Sequence, residues 1–157
     1  MCFDLGGPVN KAAYLFATAG LSTGDEASLK IMAAVMGAGM IPPIALSIAT
    51  MLRKNLFTAA EQENGKSAWL LGLSFISEGA IPFAASDPLR VIPATMAGGA
   101  VTGAISMVLG VGSRAPHGGI FVFFAISPLI GWIIALVAGI AVSTVLIIAL
   151  KQFWPNK

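Results

Sequence analysis

Charge is what this sequence has least of. Lys, Arg, Asp and Glu make up 10% of its 157 residues, against 57% hydrophobic residues, and the mean hydropathy is +0.88. A soluble domain carries about a quarter charged residues, because water must wet its surface. A chain this poor in charge cannot coat a globule of its own size, so lipid is the solvent for much of it. The nine basic residues are scattered and the net charge is only +2. No run of Lys and Arg tracks a phosphate backbone, which excludes a nucleic-acid partner. The single cysteine, Cys2, excludes an intrachain disulfide framework and a multi-Cys metal site, and reads as an incidental small apolar residue. There is no Walker A loop, no nucleophile elbow and no His/Glu metal spacing on a helix. No cofactor and no catalytic group of the chain's own are therefore expected. The opening MCFDLGG lacks the basic region and apolar core of a signal peptide. It begins abruptly, inside what reads as a functional loop, and the expectation is that an upstream half of a larger protein precedes it.

What is present is uncharged length. A spanning helix needs about 20 mainly apolar residues. Residues 31–52 fit one span, with a break expected at Pro42–Pro43, and residues 91–113 fit a second. Residues 119–150 are uncharged but longer than one span needs; Pro128 divides them into a short lead-in at 119–127 and a spanning helix over 129–150. Residues 12–22 are too short to cross alone. Residues 67–86, SAWLLGLSFISEGAIPFAAS, have the length of a span yet carry Glu78, Gly79 and Pro82. Irregular backbone at membrane depth survives only where protein or a water-filled cavity surrounds it, so a re-entrant hairpin turning near Ser77–Pro82 is preferred. The loop 53–66, with Arg53 and Lys54, and the tail with Lys151 and Lys157 read as cytoplasmic by their basic residues. Two spans between them leave 67–86 to enter and leave on one side. The fold class is an all-α, polytopic integral membrane protein with a re-entrant hairpin. Small residues such as Gly99 and Gly103 let helix backbones approach closely and read as ordinary membrane packing.

Four polar groups stand out. Glu78 is an ionisable group in an apolar segment, which costs at least about 2–3 kcal/mol at the bilayer centre. It is either a carboxylate accepting hydrogen bonds from sugar hydroxyls or a structural partner of Arg90 or Lys11. In DLGGPVNK (4–11), Gly6, Gly7 and Pro8 form a tight turn that projects Asp4, Asn10 and Lys11. Asn suits a neutral polyol, offering both donor and acceptor, although a plain surface loop fits the same residues. In SDPLR (86–90), Asp87 reads as a helix N-cap with Arg90 in the first turn, a cap and anchor rather than a ligand contact. His117, the only histidine, sits in SRAPHGG and reads as structural or exposed on its own evidence. Trp69 and Trp154 fit interfacial belts, whereas Trp132 has no assigned place.

The strings FDLGGPVNKAAY (3–14), ISEGAIPFAASDPLRVIP (76–93) and APHGGIF (115–121), in this order, resemble the membrane subunit IIC of the fructose-type sugar phosphotransferase system over essentially the whole chain. The resemblance is to its C-terminal, substrate-binding half. It implies translocation of a sugar, fructose or a relative, across the bacterial inner membrane by an elevator-like motion. It also implies phosphorylation by a separate IIB domain supplied through IIA, and a homodimer formed through the N-terminal half. Glu78 matches the substrate-binding glutamate of the re-entrant region. In relatives that glutamate lies in a Gly-Ile-X-Glu string, whereas Phe75 stands here in the place of the glycine. Asn10 and Lys11 match a polar, substrate-adjacent loop, and His117 a recurring string without an assigned role. Two other classes remain open: an ion- or proton-coupled transporter with Glu78 as proton carrier, and a non-transporting assembly subunit whose polar residues pair internally.

Overall fold

The computed structural model describes residues 1–154, so Lys157 lies outside the described residues. Six α-helices follow one another: α1 Pro8–Leu21, α2 Glu26–Leu52, α3 Ala59–Leu73, α4 Ile81–Ser86, α5 Pro88–Val108 and α6 Leu129–Phe153. Three of them, α2, α5 and α6, are long and apolar enough to cross a membrane. At 1.5 Å per residue they measure about 30–40 Å, against a hydrocarbon core of about 30 Å. The chain is an all-α integral membrane protein.

Each helix begins where the sequence supplies a stop for the preceding backbone. Asp25 caps α2, its carboxylate accepting from the Ser28 amide at 3.1 Å. Pro88 opens α5 as the first helical residue, where a missing N–H costs nothing. The helix α2 is the central element, with 72% of its apolar window buried against the others, compared with 33% for α6. Accordingly α6 turns Ile130, Val137 and Val145 outward to lipid. The helices α5 and α6 meet at glycines: a Cβ at Gly98 would stand 2.6 Å from the Gly139 carbonyl oxygen. Beside this crossing the Thr102 hydroxyl donates to the Ala135 carbonyl at 3.1 Å. Gly103, by contrast, has open space around it. Trp132 is fully buried, its indole N–H donating to the Ala33 carbonyl, which makes it a core residue.

Several expectations change. The first span starts at Glu26 and runs unbroken through Pro42–Pro43 to Leu52. Tandem prolines remove helical hydrogen bonds without ending the helix where other groups take up the freed carbonyls, and two such groups are described below. The basic loop is shorter than 53–66. It closes at Thr58, which forms a capping box with Glu61 and starts α3 at Ala59. The second span ends at Val108 rather than 113. A two-residue antiparallel ribbon, β1 Gly112–Ser113 with β2 Ile126–Ser127, then encloses a 3-10 helix over Gly119–Ala125, the expected short lead-in.

The segment 59–86 is a hairpin, and both its ends lie together. The Ser86 hydroxyl, at the end of α4, donates to the Glu61 carboxylate in the first turn of α3 at 2.8 Å. At about 22 Å, α3 is too short to cross a bilayer. The turn comes at Ser74–Ile76, three residues before the expected Ser77, because α3 terminates there rather than at Glu78. The tip rests on α2: the Ser77 hydroxyl donates to the carbonyl of Gly39 at 2.9 Å. Gly39 stands midway between Glu26 and Leu52, about 20 Å from either helix end. The hairpin tip is therefore level with the middle of α2.

Candidate functional site

The site begins with how α3 ends. The Phe75 amide donates to Gly72 and the Ile76 amide to Leu71, at 3.0 and 2.9 Å. This is the paired hydrogen-bond pattern of a Schellman C-cap, whose closing residue takes a left-handed conformation and is usually glycine. Here that residue is Phe75, with φ +65°. The glycine of the Gly-Ile-X-Glu string thus has a backbone reason, and this chain meets the same conformation with a side chain. A left-handed non-glycine residue is strained by about 1–2 kcal/mol, and it persists because the ring is packed: Phe75 is 6% exposed. A second bond steadies the chain past the turn, from the Asn64 side-chain amide to the Gly79 carbonyl at 3.0 Å. Gly79 is packed against Leu71 and Pro43, and Pro82 opens α4 in its first turn.

Two remote segments close over this tip. The first is the turn before α1, where Gly6 has φ +101° and a Cβ would lie 2.6 Å from Oε1 of Glu78. Only a glycine with free left-handed φ lets the two approach. Asp4 folds back and accepts from the amides of Val9 and Asn10 at 2.7 and 2.8 Å. It satisfies the first turn of α1 and is not among the residues that line the cavity. The second segment is the loop 115–121. Gly118 and Gly119 both have positive φ, and a Cβ on Gly119 would collide with the Leu73 carbonyl and stand 2.9 Å from the Phe75 nitrogen. The paired glycines bring the His117 ring to 5.1 Å from that of Phe75 and 6.3 Å from that of Tyr14.

Between these walls lies a cavity of about 440 Å³, lined by Gly6, Asn10, Lys11, Tyr14, Phe75, Ser77, Glu78 and His117 among others. Its volume falls in the range of small-molecule sites. The three rings, Tyr14, Phe75 and His117, stand at mutual angles of 49° to 83° and form one apolar wall. Polar groups line the same cavity. Among the described residues the Glu78 carboxylate makes no hydrogen bond and no ion pair within 4 Å, with Lys11, Arg90 or any other group. It is exposed to the cavity rather than buried in the packing. Lys11 is exposed beside it, and the Asn10 amide donates to the Met1 carbonyl at 2.8 Å. The alternative of Glu78 as a structural partner of Arg90 or Lys11 is not what the chain adopts. Three rings together with an uncompensated carboxylate, an ammonium and an amide suit a neutral, polyhydroxylated ligand. Hydroxyls can donate to Glu78 and accept from Lys11, while C–H surface lies on the rings.

Asp87 and Arg90 are elsewhere. Asp87 precedes α5, but its carboxylate makes no cap hydrogen bond. It pairs instead with Arg90 Nε at 2.7 Å and with Lys151 Nζ at 3.3 Å, and Lys151 also pairs with Glu61 at 3.3 Å. All four side chains are buried. Sequence reasoning missed Glu61 and Lys151 because each stands at the end of a helix among polar or exposed-looking neighbours. The Thr58–Glu61 capping spacing was the one legible signal. Cys2 also gains a role, donating its S–H to the Ala38 carbonyl at 3.1 Å.

No family model matches the sequence, and no solved structure matches it. Curated proteins do. The PTS system fructose-specific EIIB'BC component of Escherichia coli (strain K12) is 53% identical over 155 residues, covering 97% of this chain and 27% of that protein. The chain is similar to fructose-specific phosphotransferase components. The EIIC component of Haloferax volcanii is 49% identical over 157 residues, 100% of this chain and 41% of its own length. The Bacillus subtilis EIIABC component is 41% identical over 152 residues, 97% of this chain and 24% of that protein. The chain thus spans between a quarter and two-fifths of the length of these relatives.

Proposed function

We propose that this chain is the sugar-binding, C-terminal part of a fructose-type IIC permease, and that the cavity at the hairpin tip holds the sugar during translocation. One observation carries the reading. The three strings that resemble the IIC subunit are far apart in sequence, yet Asn10 and Lys11, Glu78, and His117 from them line a single cavity at the depth of the middle of α2. Transporters place their sites near the bilayer midplane, on broken helices with irregular backbone. Glu78 accepts from sugar hydroxyls, Lys11 and Asn10 supply further polar contacts, and the Tyr14, Phe75 and His117 rings cover its apolar face. The end of the molecule bearing Arg53 and Lys54 faces the cytoplasm, so the protein is multi-pass in the inner membrane. Phosphoryl transfer belongs to separate IIB and IIA domains, in keeping with relatives whose names join B, or A and B, to C. The working unit is a homodimer of the permease.

The test is fructose uptake in cells carrying the chain in its natural reading frame. Glu78→Gln removes a charged acceptor and lowers affinity by about ten- to hundredfold, with uptake dependent on phosphoenolpyruvate. Unchanged uptake in that variant would overturn the reading. Uptake that continues without phosphoenolpyruvate and collapses with the membrane potential would replace it with a proton-coupled transporter.

A further inference from the structure

The prolines in the middle of α2 have a consequence for the site. In a helix, the carbonyl of residue i accepts from the amide of residue i+4. Pro42 and Pro43 carry no amide hydrogen, so the carbonyls of Ala38 and Gly39 have no helical donor, although the helix continues through them. Both carbonyls are taken by remote side chains, as the α2 carbonyls of Ala33 and Ala45 also are. The Cys2 S–H donates to Ala38 and the Ser77 O–H to Gly39. Ser77 is the residue before Glu78, and its side chain is buried. Cys2 begins the turn that carries Gly6 and Asn10. Each freed carbonyl therefore docks one of the segments that meet across the cavity, and at adjacent positions.

We infer that Pro42 and Pro43 serve the site by leaving these two carbonyls free, and that Ser77 is a positioning residue that fixes the Glu78 carboxylate for the sugar. Cys2 does the same, through a weaker donor, for the turn at Gly6. The inference rests on the cavity being the sugar site. Without the Ser77 bond, the tip keeps the strained turn at Phe75 and the Asn64–Gly79 bond, and the residue before Glu78 loses its hydroxyl anchor on α2.

The test separates positioning from stability by using the same carbonyl twice. Ser77→Ala leaves the Gly39 carbonyl buried without a donor, so it lowers the thermal midpoint and raises the KM for fructose by about tenfold, with Vmax held within about twofold. Adding Pro43→Ala returns an amide hydrogen at residue 43. The helix then satisfies Gly39 itself, and the double variant recovers the thermal midpoint while its KM stays raised. Ser77→Thr, which keeps the hydroxyl, restores the wild-type KM. A double variant that recovers both midpoint and KM would show Ser77 to be structural only and would overturn the inference. So would a Ser77→Ala KM within about twofold of wild type, in a system where Glu78→Gln lowers affinity at least about tenfold. If Glu78→Gln itself has no effect, the sugar-site reading and this inference fall together.

Discussion

Lys151→Met strikes the buried charge network where one residue serves two acids. Its Nζ stands 3.3 Å from Oε1 of Glu61 and 3.3 Å from Oδ2 of Asp87, and 4.5 Å from the centre of the Phe57 ring. The side chains of Glu61, Asp87 and Lys151 are 4%, 7% and 6% exposed, too little for water to screen the pairs. Methionine fills the volume and removes the charge. Glu61 and Asp87 then face Arg90 alone, and Arg90 also donates to the Trp154 carbonyl at 2.7 Å. Removing one partner from a buried pair costs about 3–5 kcal/mol, because it leaves an uncompensated charge. For a chain of this length, each kcal/mol moves the midpoint by about 2–4 °C, so a fall of about 6–20 °C is expected. The assay is thermal unfolding of the detergent-solubilised protein, followed by tryptophan fluorescence. The control is Glu61→Gln with Lys151→Met, which balances the charges while keeping an oxygen for the Thr58 amide and offering an N–H to the Ser86 hydroxyl oxygen. This pair recovers most of the loss, with a coupling of about 1–3 kcal/mol. A fall below about 2–4 °C in the single variant, with no coupling in the double, would show that Lys151 does not close the base of the hairpin.

Gly119→Ala places a methyl group against the Leu73 carbonyl at a residue with φ +59°. It forces the loop away from the hairpin tip, and fructose affinity falls by at least about tenfold as His117 leaves the cavity. Gly103→Ala, at a glycine with open space around it, leaves affinity unchanged in the same uptake assay. At the far end of α2, hydrogen bonds from Thr23 and Ser28 hold the Asp25 carboxyl down to about 2 from its ordinary 3.8. A depressed acid stabilises the fold in its ionised form, so the cap is fully present above pH 4 and is lost as pH falls through about 2. Amide exchange at Ser28 should be slow at pH 7, with Asp25→Ala speeding it.

The sequence by itself determined the solvent and the broad topology. Lack of charge requires lipid, the length of the uncharged runs sets the spans, and Glu78 beside Gly79 and Pro82 marks a break in a segment that cannot be a plain lipid-facing helix. These are one-dimensional properties: hydropathy adds along a chain, and a buried ionisable group is costly wherever it lies. Local chemistry also decided that the hairpin stops at Phe75, yet the residue there is not the glycine that would have announced it. Its ring compensates through contacts with Tyr14 and His117, which no local pattern reveals. Tertiary structure alone decided that Asp4 folds back on the first turn of α1, and that Glu61 pairs with a lysine 90 residues away. It also decided that the Pro42–Pro43 pair is an acceptor site rather than a break. A proline frees a carbonyl in any helix, but which hydroxyl or thiol reaches it depends on packing between segments distant in sequence. In this chain those segments are the ones that build the cavity around Glu78.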